Sequence, residues 1–230
     1  FWQNKKVILM HTKKYKMVIF DLDGVLIDSK NNMKISWNKL KKELNINVSF
    51  NEYFKYIGFP FKTILRKLKI SQNHKKIQQQ FSKNSIDNLR KIKPYTGVHT
   101  TLKVLKSKNI KICIVTSKDK FRTKKIIKLL KFPINYFFSP EKNLRGKPYP
   151  DQINKALKKL SVKKKDACYV GDMVVDFKAA NNANIDFIYA NYGYGNYKKN
   201  FYKIIKKPKE IIKYIKWKKI HKLRQQCKNQ

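Results

Sequence analysis

The first regular feature of the chain is a compact apolar run, residues 16–20 (KMVIF), that stops at the polar, turn-like DLDG. A short unbroken apolar run bounded by turn residues predicts a strand covered on both faces. From about residue 30 to 93 the period becomes helical. Ile35, Trp37, Leu40 and Leu44 recur at helical spacing, then Tyr53, Phe54 and Ile57, then Ile64, Leu65 and Leu68, then Ile77, Phe81, Ile86 and Leu89. This predicts about four helices, interrupted by the GFP of residues 58–60. After Pro94 the pattern alternates: helix 98–106, strand 111–115 (KICIV), helix 120–130, strand 136–138, helix 151–160, strand 167–170, helix 176–183 and strand 187–190. A final stretch, IIKKPKEIIKYI, reads as a closing strand and helix. Alternating β and α elements with continuously apolar strands predict a parallel sheet covered by helices on both faces.

The predicted fold class is therefore α/β, a Rossmann-like parallel sheet core with an inserted helical segment. The core takes residues 16–29 and 94–216, and the insert takes 30–93. Residues 1–15 read as an N-terminal extension and 217–230 as a basic tail. The first residue is Phe, which makes Met10 and Met17 the candidate initiators. No apolar run approaches the roughly 18 residues of a membrane span. The N-terminal stretch has no secretory h-region. Cys113, Cys168 and Cys227 are too widely spaced for a disulfide framework or a zinc site. A cytoplasmic monomer or homodimer without a membrane span is expected.

Charge alters this picture less than its size suggests. The formal net charge is +41, which ordinarily points to a polyanion partner. Yet the chain has 50 Lys against 5 Arg, with 26 Ile, 21 Asn and only 6 Ala. Lys, Ile and Asn have A/T-rich codons, so base composition accounts for much of the excess. Arginine, the better reader of phosphates and bases, is the scarce residue. No specific nucleic-acid partner is expected, and a polyanion-binding protein with an accessory enzymatic core is kept as an alternative.

The chemistry sits where open parallel sheets place their sites, at the carboxyl ends of strands. Asp21, Asp23 and Gly24 follow the first strand. Thr116, Ser117 and Lys118 follow KICIV, Gly171, Asp172 and Asp176 follow ACYV, and Lys147 stands in GKPYPD ahead of a helix. Asp21 can serve as a carboxylate nucleophile and Asp23 as a general acid and base. Carboxylates gathered from two strands repel unless a hard cation joins them, and Mg²⁺ with oxygen ligands fits. Thr116 and Lys147 supply a hydroxyl and an ammonium for a phosphate. Together these groups point to phosphoryl transfer through an aspartyl-phosphate. Other polar positions read more plainly. Ser117 offers its backbone, Lys118 reads as solvated or as a cap contact, and Asp28 and Ser29 shape the entry to the insert. Tyr53, Phe54 and Tyr56 read as core of the insert, and the four histidines show no site-like spacing.

The motifs DLDGVLIDS, IVTSK, GKPYPD and YVGDMVVD, in this order, resemble the haloacid dehalogenase-like hydrolases. The resemblance spans about residues 16–215 and implies a Rossmann-like core with a helical cap after the first motif. It implies Asp21 as nucleophile and Mg²⁺ ligand, and Asp23 as acid/base with its backbone carbonyl on the metal. Asp172 would bind the metal, Asp176 would support it, and Gly24 would permit the tight loop. Thr116, Ser117 and Lys147 would hold the phosphoryl group. The second Asp of the first motif argues for a phosphatase over a dehalogenase, and GDMVVD argues against a sugar-phosphate mutase, the alternative on the same fold. GFPFKTIL resembles the substrate loop of phosphoglycolate phosphatase-like members, which brings in Gly58, Phe59, Pro60, Lys62 and Arg66, the last two as cations for a substrate carboxylate. The implied substrate is a small phosphorylated metabolite, phosphoglycolate first. AANNANIDFIYANYGYG is also similar to that subfamily, except that Asn184 replaces a usual Gly, which is expected to loosen that helix end.

Overall fold

The structure, a computed structural model, describes residues 15–196 and 201–215. Its first strand, β1 (Met17–Phe20), is buried at all four positions. The chain then makes a two-residue strand, β2 (Ile27–Asp28), and enters four helices: α1 (Lys30–Leu44), α2 (Phe50–Phe54), α3 (Phe61–Lys67) and α4 (His74–Asp87). It returns through β3 (Lys93–Pro94), antiparallel to β2. From there α5 (Val98–Ser107), β4 (Lys111–Val115), α6 (Lys120–Leu129), β5 (Tyr136–Phe138), α7 (Asp151–Lys159), β6 (Ala167–Gly171), α8 (Val174–Asn182), β7 (Asp186–Ala190) and β8 (Ile204–Ile205) follow.

Six strands form one sheet in the order β5-β4-β1-β6-β7-β8, and every pair is parallel. β1 lies inside it, with Phe20 opposite Ile114 of β4 on one side and Val170 of β6 on the other. Period-two alternation sends Met17 and Ile19 into one apolar cluster, with α7 and α8. Val18 and Phe20 enter the other, with α5 and α6. Parallel strands covered on both faces need unbroken apolar sequence, which explains KMVIF and KICIV.

A third apolar cluster belongs to α1–α4. Its centre is Trp37, stacked on Tyr53 at 4.3 Å and edge-on to Phe81 at 6.3 Å. The helical period read from residues 30–93 thus buries its own aromatic stripe, and the β2–β3 ribbon joins this segment to the core.

Three local expectations change. Tyr15 is not part of a free extension: it is buried, its hydroxyl donates to Asp186 at 2.5 Å, and it accepts from Lys203 at 2.5 Å. A large aromatic beside a sheet edge gains more from burial than from exposure, provided its hydroxyl finds a partner. The closing segment forms a 3₁₀ run, Pro208–Tyr214, in place of a full helix. Asn184 does not loosen the α8 end, because it takes the left-handed conformation at φ 55° that the missing Gly would have supplied. The basic tail and Cys227 lie outside the described residues; Cys113 and Cys168 are buried thiols.

Because Ile19 is fully buried in an inner strand, Ile19→Ala should cost about 2–5 kcal/mol of unfolding free energy. Phe121→Ser, at a 60% exposed position, should stay within about 0.5 kcal/mol. Denaturant titration of both variants checks the contrast.

Candidate active site

Placing β1 between β4 and β6 brings three strand ends side by side. Asp21 follows β1, and its N–H donates to the Val170 carbonyl at 2.9 Å. Thr116 follows β4 and donates its N–H to Phe138 at 3.0 Å, and Asp172 follows β6. Lys147 arrives from the loop before α7. Its ammonium lies 2.7 Å from Asp21 Oδ1 and 2.6 Å from Asp176 Oδ1, with all three side chains buried. Asp176 is further held by the Met173 N–H at 3.0 Å and the Tyr169 hydroxyl at 3.3 Å.

Burial sets the electrostatics. It raises Asp21 to about 7; Lys147 opposes that rise, and Asp176 and Asp23 add to it. Asp172 is raised well above the ordinary carboxylate range by burial and by its neighbours Asp176 and Asp21. Burial alone would lower Lys147, but Asp176 and Asp21 outweigh it and hold the ammonium charged.

Oxygens of Asp21, Asp172 and Asp176 lie within 4.8 Å of one another. Asp172 Oδ2 accepts the Tyr194 N–H at 2.6 Å, whereas its Oδ1 is buried with no hydrogen-bond partner. An orphaned carboxylate oxygen among clustered acids is what a hard divalent cation would satisfy. Asp176 has its hydrogen-bonding capacity largely filled, so Asp21 and Asp172 are the better direct ligands. Gly24, at φ 87°, closes the loop against Asp172; a Cβ there would lie 2.2 Å from Oδ2.

Asp23 faces the same cavity. Its Oδ1 accepts from the Ser29 hydroxyl, and the Lys118 ammonium lies 3.1 Å away. Lys118 is thus buried and ion-paired rather than solvated, because the chain turns into α6 beside the acid. Burial pulls its ammonium down, against the charge of Asp23. Ser29 does more than shape the entry to α1: Tyr194 Oη accepts its N–H at 2.6 Å.

The helical segment closes over this floor. The Gly58 carbonyl accepts the Ser117 hydroxyl at 2.6 Å, which leaves Ser117 its backbone for a phosphate. Phe59 lines the cavity, and Pro60 presses on Gly146, where a Cβ would lie 2.4 Å from Cγ. Lys62 and Arg66 are exposed and absent from the lining. In their place Lys118 and Arg122 line it, together with Tyr53, Phe61 and Phe81. Sequence reasoning passed over Arg122, Tyr194 and the polar end of Tyr53. The available signal was an arginine, one of 5 in the chain, four residues after Lys118.

The model of the family described as haloacid dehalogenase-like hydrolase matches residues 18–190. A phosphoglycolate phosphatase of Aquifex aeolicus is 30% identical over 183 residues, 78% of this chain and 86% of that protein. Pyrophosphatase PpaX of Oceanobacillus iheyensis is 28% identical over 205 residues, 86% of this chain and 95% of that protein. A solved candidate phosphoglycolate phosphatase from Lactobacillus plantarum superposes with a TM-score of 0.81 at 22% identity, covering 88% of this chain and 100% of that one. No helix among the described residues is long and apolar enough to cross a membrane. With strand order, clustered acids and ancestry in agreement, the chain belongs to the haloacid dehalogenase-like hydrolase family and is a phosphatase within it.

Proposed function

We propose that the protein is a Mg²⁺-dependent phosphomonoester hydrolase that works through an aspartyl-phosphate on Asp21, with phosphoglycolate as the leading substrate. The observation that carries this reading is the Asp21 carboxylate, held by Lys147 at the floor of a closed cavity into which Asp23 also faces. Asp21 attacks phosphorus, and the departing oxygen takes its proton from Asp23. Asp23 then removes a proton from water, which attacks the acyl phosphate and frees Asp21. Thr116, the Ser117 backbone and Lys147 hold the phosphoryl oxygens. Asp21, Asp172 and the Asp23 carbonyl would hold Mg²⁺, with Asp176 acting through Lys147. When bound, the ion supplies the positive charge that lets a carboxylate approach a phosphate dianion.

The size of the site supports a small substrate. The cavity volume is about 40 Å³, and Met33, Tyr53, Phe59, Phe61 and Phe81 are among its walls. The relatives named for phosphoglycolate and pyrophosphate agree with a compact leaving group. Residues 30–93 act in this reading as a cap that excludes water during transfer and opens for exchange.

Asp21→Asn should abolish phosphate release from phosphoglycolate with Mg²⁺, because an amide cannot attack phosphorus; undiminished release would refute the mechanism. Asp23→Asn should lower kcat about 10²–10⁴-fold while still binding Mg²⁺ and phosphate, as calorimetry can check. Phosphate should appear without any bisphosphate activator, which a mutase would need.

Metal binding should also register as stability. With their pKa values raised, Asp21 and Asp172 keep protons in the folded protein that the unfolded chain releases above about pH 4. They therefore subtract stability as pH rises toward the folded value of about 7 for Asp21. Mg²⁺ needs both ionised. The rise in Tm on adding MgCl₂ should be larger near about pH 7.5 than near about pH 5, and should vanish in Asp172→Asn.

A further inference from the structure

The cavity has a second polar wall that the phosphoryl-transfer roles leave unused. Lys118 follows Thr116 and Ser117 directly, and Arg122 stands one helical turn further along α6. Both are buried, at 6% and 4% exposure, and both line the cavity. Arg122 lies with its guanidinium 5.1 Å from the Phe81 ring centre and gives its Nε to Asp119 at 2.5 Å. Asp119 in turn accepts from Ser82 of α4 at 3.3 Å. Among the described residues, nothing accepts a hydrogen bond from the two terminal nitrogens of Arg122.

Tyr53, from the helical segment, completes this wall. It is 2% exposed, its ring is stacked on Trp37, and it lines the same cavity. Its hydroxyl has no hydrogen-bond partner among the described residues, and Arg122 and Asp23 are its charged neighbours. The Tyr53 hydroxyl and the terminal nitrogens of Arg122 therefore keep hydrogen-bonding capacity for an occupant of the cavity that they line. A ligand oxygen would satisfy both. A carboxylate or phosphate matches best, because the planar fork takes two oxygens and the Lys118 ammonium adds charge. The rest of the roof, Met33, Phe61 and Ile64, offers no donors with which to read a sugar.

We propose that Tyr53, Lys118 and Arg122 form a subsite for a second acidic group of the substrate, so that the enzyme selects short phosphate esters or anhydrides bearing another acid a few atoms from phosphorus. The proposal rests on the phosphatase reading and deepens it by naming the feature of the leaving group that is recognised. It places the specificity cations on the core, at the start of α6, and not at Lys62 and Arg66.

The matched pair phosphoglycolate and 2-hydroxyethyl phosphate differs at the second acid and tests this directly. The unmodified protein should prefer the acid in kcat/KM. Arg122→Gln should lower that preference about 10–100-fold, chiefly through KM, as expected for loss of a charged hydrogen bond. Tyr53→Phe should lower it in the same direction by a smaller factor, and Arg122→Lys should restore part of it. Pyrophosphate, run alongside, distinguishes a phosphate from a carboxylate as the preferred second acid. Calorimetry with the Asp21→Asn variant and Mg²⁺ reads the subsite without turnover: phosphoglycolate should bind more tightly than 2-hydroxyethyl phosphate. Equal binding of the two esters, or an unchanged preference in both Arg122→Gln and Tyr53→Phe, overturns the subsite. Differential binding with no hydrolysis of any ester by the unmodified protein overturns the phosphatase reading and leaves the subsite standing.

Discussion

Three acids cannot share a dry pocket without a positive charge, and here that charge is one lysine. Lys147 sits between Asp21 and Asp176 at 2.7 and 2.6 Å, with Asp172 close by and all four side chains buried. Removing one partner of such a buried group costs far more than breaking a surface ion pair. The chain invests its best-packed elements in holding this cluster. β1 is flanked by β4 and β6 in register, so Asp21 cannot shift without dragging the inner strand of the sheet. Burial first, and the neighbouring acids second, raise Asp21 and Asp172, and under the proposed mechanism a bound cation would offset both.

The second dependence is between this floor and the helices above it. Tyr194 touches both sides: its N–H holds Asp172, its hydroxyl accepts from the Ser29 N–H, and its ring packs edge-on against Phe54 of α2 at 5.3 Å. Ser29 in turn donates to Asp23. The Ser117–Gly58 bond adds a tie on the far side. Packing of the helical segment and the placement of the site's acids are therefore geometrically linked, and the third apolar cluster around Trp37 holds that segment's helices together.

The large positive charge enters this chemistry only at a few buried points. Among the described residues, Lys118, Arg122 and Lys147 differ from the other basic residues not in type, nor in pairing with acids, but in burial. Most Lys on helix surfaces have water as their partner, and their field is screened within about 8 Å at physiological salt. Charge in the count and charge in the site are separate matters in this chain.

Period and punctuation in the sequence were enough for the architecture. Apolar runs ended by DLDG, TSK and GD marked strand ends and their polar groups, and nearly every strand and helix boundary falls within a residue or two of the expectation. That works because a parallel sheet buries both faces, so its strands cannot be disguised, and because the candidate site's acids follow those strands immediately. What tertiary structure alone decided is which of many lysines matter, and where the helical segment meets the core. Lys62 and Arg66 lie on α3, in a suggestive motif, yet are exposed, while Lys118 and Arg122 are drawn inside by the turn into α6. Tyr53 is indistinguishable in sequence from any other core aromatic; only the packing of the helices over the core brings it to the cavity wall. Strand positions and their burial follow from the local side-chain pattern, whereas strand order and the partner of a buried charge are set by residues far away in the chain, as β1 and β6 or Asp21 and Lys147 are.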